Sequence, residues 1–148
     1  MVTSVSLFIF LAGFVVGLGA VTVIDLHGFL ARHSSYWTVA TIRAHKVTKP
    51  LIWIGVALAI AGGTSFYING LVNWIPITHA IVAFVLIING LFLSFYVSPY
   101  LLRQEKEGRD QELLPSRLQK AITVSFLVSF VGWWGSLALL SWYLINYI

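Results

Sequence analysis

The stretch VSLFIFLAGFVVGLGAVTVIDLHGFLA, Val5 to Ala31, decides what kind of protein this is. It is apolar apart from Ser6, Thr22, Asp25 and His27, and it exceeds the roughly 20 residues a helix needs to cross the hydrocarbon core of a bilayer. It reads as a membrane-spanning helix. A cleaved leader is the competing reading, but no basic residue precedes the run and the first, Arg32, follows it. That order is the reverse of a signal peptide, so the helix is expected to be retained.

The same signal recurs at Leu51–Ile68, Ile75–Leu102 and Ala121–Ile148. The expected fold is therefore all-α: one transmembrane domain over residues 1–148, built as a four-helix bundle. Composition agrees. Hydrophobic residues make up 59% of the chain and charged residues 9%, against about 45–50% and about 25% in soluble domains. A soluble globule this small could not cover its surface with so few charges, and disorder requires the opposite balance.

The nine Lys and Arg residues fall in two places. Arg32, Arg43, Lys46 and Lys49 follow the first span; Arg103, Lys106, Arg109, Arg117 and Lys120 follow the third. The connection Asn69–Trp74 has no charge. By the positive-inside rule the first and third connections are cytoplasmic and both termini lie outside, in a multi-pass protein integral to a cell membrane. The formal charge of +4 thus reports orientation. A nucleic-acid partner would need a basic face on a soluble module, and none is expected.

Within the first connection, Trp37, Ala40, Ala44 and Val47 recur at helical spacing opposite Arg43 and Lys46. A short interfacial helix is expected over residues 36–47, with Pro50 starting or kinking the second span. The connection 103–120 reads as a charged extension of the third helix, carrying a Glu105–Arg109 pair at i,i+4 and ending at Pro115. Ser116 and Gln119 have the spacing of a capping box for the fourth helix.

Small residues at near-helical spacing mark packing faces in lipid, where close backbone approach drives association. Each span has such a seam: Gly13, Gly17 and Ala20; Gly55, Ala59 and Gly63; Ala80, Ala83, Gly90 and Ser94; Ser125, Ser129, Gly132 and Ser136. These suit contacts within one chain, and equally a homo-oligomer or a larger membrane complex. Trp37, Trp53, Trp74 and Trp142 fall where aromatic belts form. Trp133 and Trp134 fall mid-span, where an indole N–H needs a partner, and Asn89 is a candidate acceptor at similar depth.

Asp25 is the only acidic residue outside the third connection, and an ionisable group inside a span marks a functional site by default. Arg32, Arg43 or Lys49 could instead neutralise it at the interface. His27 shares a face with Gly13, Gly17 and Ala20, and His45 lies at comparable depth on the next helix. Imidazole is a common ligand of metals and of haem iron. His27 and His45 are thus candidate ligands for haem b or a divalent metal at the cytoplasmic end, oriented by Asp25, in an electron-transfer module. His79 lies a membrane thickness away. The alternative is a small oligomeric transporter or channel protomer, with Asn89, Ser94, Trp133 and Trp134 lining a path and Asp25 with His27 as a proton or cation site. A third reading is an accessory subunit of a larger complex. No catalytic residue set is legible: nothing matches a hydrolase, metalloprotease or nucleotide-binding motif. The absence of cysteine excludes thiolate ligands and disulfides.

Overall fold

The computed structural model describes residues 2–31, 36–68, 74–109 and 111–147. The described residues form α1 (Val2–Ala31), α2 (Tyr36–Tyr67), α3 (Trp74–Phe92), α4 (Ser98–Lys106) and α5 (Ser116–Tyr147), with a π-helical turn at Leu93–Val97 joining α3 to α4. Among the described residues, four stretches are long and apolar enough to span a membrane: Ser4–His27, Ile42–Tyr67, Trp74–Lys106 and Ser116–Tyr147.

The helices run up and down. Antiparallel pairing of α1 and α2 is visible in the order of contacts: Ser6 meets Ser65 at 2.7 Å, Phe10 meets Gly62, Gly13 meets Ala59, and Gly17 meets Gly55. This is the most extensive interface in the molecule, and its closeness depends on missing side chains. A Cβ built on Gly55 would stand 2.4 Å from Gly17 Cα, and one on Gly62 would stand 2.3 Å from Phe10 N. The closest backbone approach thus falls at Gly62, and the expected Gly63 packs beside it against Phe10, where a built Cβ would stand 3.2 Å from the ring.

Helix α5 closes against α3 and α1. Trp133, 2% exposed, lays its ring over Gly17 and edge-on to Phe14. Asn89 on α3 makes a polar clasp to α5, though not with an indole. Its Nδ2 donates to the Ser125 carbonyl (3.0 Å) and Ser129 Oγ (2.8 Å), and its Oδ1 accepts from Ser125 Oγ (2.7 Å). A carboxamide satisfied this way needs no tryptophan, and Trp134 points outward, 44% exposed. By contrast α2 and α3 meet sparsely.

Three local expectations change. Residues 36–47 are not a separate helix but the first turns of α2, which continues through Pro50. Proline removes one backbone donor, leaving the Lys46 carbonyl without its i→i−4 partner, a break that helices in lipid tolerate; Thr48 Oγ1, one turn away, bonds the Ala44 carbonyl at 2.8 Å. The third-helix extension stops at Lys106 rather than at Pro115. Gly108 adopts φ +67°, and Arg109 N donates back to the Gln104 carbonyl at 2.9 Å, the pattern of a Schellman C-cap. Arg109 therefore lies past the helix end and cannot pair with Glu105. It bonds Glu107 instead, which holds its guanidinium pKa above the ordinary value, with Glu112 3.9 Å away. Glu105 pairs with Lys46 of α2 at 2.7 Å. Helix α5 begins at Ser116 itself, with Leu118 and Gln119 N–H both donating to the Pro115 carbonyl (2.9 and 3.0 Å), so Gln119 N–H bonds that carbonyl and not the Ser116 hydroxyl of the expected capping box.

Trp53 is not part of a belt. Its indole turns inward, donates to Ser94 Oγ at 3.1 Å and packs on Gly90. Trp37 has no described side chain, whereas Trp74 and Trp142 are exposed.

Candidate functional site

At the charged end of the helices, α1, α2, the π-helical turn and α5, with Gly90 of α3 and Leu101 of α4, border a cavity of about 40 Å³, room for a water molecule or a small ion. Asp25 enters it from α1, His45 and Lys49 from α2, Ser94 from the π-helical turn and Ser129 from α5. Each arrives for a local reason. Asp25 sits one helical turn beyond the buried Val21 and beside the buried Ile24, so the face that packs α1 into the core carries its side chain inward. His45 and Lys49 are four apart on α2 and share a face. The π-helical turn adds a residue to the helix repeat, and such turns concentrate at functional sites.

Asp25 is 8% exposed, and neither carboxyl oxygen has a hydrogen-bond partner among the described residues. His45 Nε2 is likewise buried and unpartnered. The Lys49 ammonium lies on the same cavity and reaches the Ser94 carbonyl at 3.5 Å, at the outer limit of a hydrogen bond, instead of Asp25. The surrounding wall is apolar, with Ile24, Val97 and Ile122 all buried. Buried polar groups nearly always find partners, so three unsatisfied atoms on one small cavity are the most unusual feature of the molecule.

Of the residues singled out from sequence, Asp25 and His45 share this cavity, and Ser94 lines it. His27 does not: it is exposed on α1 and outside the lining. Arg32 lies outside the described residues and Arg43 is exposed. Asn89 and Trp134 line neither this cavity nor the larger one described below, which Trp133 does line. Among the described residues no cluster of three His, Cys, Asp or Glu side chains is placed to hold a metal ion. A haem does not fit between Asp25 and His45, because the space there admits little more than a water.

Sequence reading missed a second polar cluster at the opposite end. His79 Nε2 lies 2.8 Å from the Ser136 carbonyl, and Tyr67 Oη lies 3.0 Å from His79 Nδ1. A carbonyl only accepts, so Nε2 carries the hydrogen, neutral Nδ1 accepts, and the tyrosine donates. The signal was available: Tyr67 ends α2 and His79 lies in the second turn of α3, so a short antiparallel connection brings them level.

Comparison with known proteins finds no matching family model, no matching curated protein and no matching solved structure.

Proposed function

We propose that this protein is a multi-pass membrane protein that binds and releases a proton at Asp25, as the coupling site of a small transporter, with the charged end in the cytoplasm. What carries the reading is the Asp25 carboxyl group, with no hydrogen-bond partner among the described residues, in a small cavity beside His45 and Lys49. A bare carboxylate without donors in an apolar wall costs several kcal/mol, and a proton or a cation relieves that cost. The Lys49 ammonium on the same cavity repels a dication, which favours the proton over a divalent metal.

The exchange needs little movement. With Asp25 protonated, the Lys49 ammonium rests at the Ser94 carbonyl. When the carboxylic O–H bond breaks and the proton leaves to a water molecule, the ammonium swings to the carboxylate and the pair neutralise one another. Among the described residues this cavity and the larger one share no lining residue, and in this reading transport proceeds through a second conformation.

Infrared difference spectroscopy of the protein in lipid nanodiscs tests the reading without knowledge of the solute. A protonated-carboxyl C=O band that disappears reversibly as pH rises, and is absent from Asp25→Asn, is the expected result. If no Asp25-dependent band exists at any pH, the side chain is a permanently ionised partner of Lys49 and the proposal fails.

A further inference from the structure

The gap left between α2 and α3 is a cavity of about 570 Å³, within the roughly 300–1,000 Å³ of small-molecule sites. Phe10, Phe14 and Trp133 form its floor, and residues of α2 and α3 form its walls. Its rim residues Ile60, Ile68 and Phe84 lie on the surface of the bundle, so it opens sideways to where acyl chains would lie. We infer that this cavity binds a neutral, membrane-dissolved amphiphile with an apolar body and a hydroxyl head, anchored at Tyr67. The inference rests on the helices lying in a bilayer and is independent of the proton site.

Three observations select that occupant. First, no Lys, Arg, Asp or Glu lines the cavity among the described residues, so nothing compensates a charged head. Second, the lining is apolar apart from the Trp133 indole and the hydroxyl and imidazole groups of Thr64, Tyr67, His79 and Ser136, which suits an apolar body carrying one polar head. Third, the polar group at its end has a fixed polarity. The Ser136 carbonyl fixes the His79 tautomer, His79 Nδ1 takes the Tyr67 proton, and both imidazole nitrogens are then used. The Thr64 hydroxyl on the same lining can donate or accept, but at the Tyr67–His79 pair only the lone pairs of Tyr67 Oη remain, and a lone pair recognises a donor. A hydroxyl head satisfies it, whereas an ether, ester or ketone does not. The His79–Ser136 bond ends the chain at a carbonyl, so the cluster holds a ligand and does not conduct a proton.

The test uses the full-length protein in phosphatidylcholine nanodiscs with two photoreactive probes, a hexadecanol bearing a mid-chain diazirine and its methyl ether. Cross-linked residues are mapped by mass spectrometry. The alcohol is expected to label the cavity residues of α2 and α3 about tenfold more efficiently than the ether, the effect of one hydrogen bond in a dry site. Tyr67→Phe should bring the ratio near one. Ala83→Trp, which fills the cavity without touching the Tyr67–His79 bond, should suppress labelling by both probes. Equal labelling by alcohol and ether in the unaltered protein overturns the inference. So does labelling spread over Phe8, Val15, Val124 and Leu127 on other faces, which marks ordinary annular lipid, or cross-links between copies at Ile60 and Phe84, which mark a chain–chain interface. Failure to incorporate into nanodiscs would overturn the spanning reading itself, and is scored before any labelling.

Discussion

Replacing Gly55 by alanine adds a single methyl group where α1 and α2 touch backbone to backbone. The new Cβ would stand 2.4 Å from Gly17 Cα, 2.5 Å from Gly17 N and 2.9 Å from the Gly13 carbonyl oxygen. Ordinary van der Waals contact begins at 3.4 Å, so the helices must part locally by about 1 Å, the difference between 3.4 and 2.4 Å. No rotamer can absorb this, because every colliding atom belongs to a backbone. A radial gap of 0.5–1 Å forfeits about a quarter to a half of each dispersion contact, and the neighbouring approaches of Gly13 to Ala59 and Gly62 to Phe10 open with it. Overpacking costs about 1–3 kcal/mol in general, and here we predict the upper part of that range, about 2–3 kcal/mol, because packing is the main adhesive between helices in lipid. The fraction unfolded should rise at least thirtyfold at 2 kcal/mol, measured by reversible denaturant titration in mixed micelles with circular dichroism. Gly19→Ala is the internal control: a Cβ there meets nothing within 4 Å, and alanine is the better helix former. A Gly55→Ala protein within 0.5 kcal/mol of Gly19→Ala would refute the close backbone approach.

Further predictions concern polar groups. Asn89→Ala removes three hydrogen bonds between α3 and α5 and should destabilise by about 1–2 kcal/mol, given about 0.6 kcal/mol for an average interhelical bond in a membrane; Trp134→Phe, on the surface, should be neutral in the same titration. Glu105→Gln breaks an exposed pair with Lys46 and should change stability by less than about 0.5 kcal/mol, with a difference that shrinks further in high salt. Gly108→Ala forces a side chain into φ +67° at a cost of about 1 kcal/mol, read as faster amide exchange of the α4 C-terminus at Glu107 to Arg109. A hydrophobic carbodiimide, which adds to protonated carboxylic acids, should modify Asp25 in membranes and lose reactivity as pH rises; modification confined to Glu105, Glu107 and Glu112 would contradict the proton site.

The four apolar helices were legible because hydrophobic runs of this length have few other meanings, and the charge segregation needed only counting. The chemistry was legible in part. Asp25 and His45 stood out as ionisable groups in apolar surroundings, and they do share a cavity. His27, two residues from Asp25, turns away because two residues on a helix are about 200° apart, and its shared face with Gly13 and Gly17 drifts out of contact by the end of α1. Lys49 was visible only as a counter-charge for Asp25, not as a residue held at the Ser94 carbonyl.

What the sequence determines by itself is set by solvent: the number of helices, their approximate ends, and the gathering of Lys and Arg at one end of the fold. What only the tertiary structure decided is set by the rotation and spacing of the helices about their axes. A uniformly apolar helix carries little periodic signal to say which face goes inward. Gly62 at the closest backbone approach with Gly63 against the Phe10 ring, Asn89 bound to serines rather than to an indole, and the Tyr67–His79–Ser136 cluster beside an open groove all follow from that rotation. So does the placement of Asp25 with no hydrogen-bond partner among the described residues, because α1 docks in the register its glycines allow and leaves the carboxyl group facing a cavity too small to hydrate it fully.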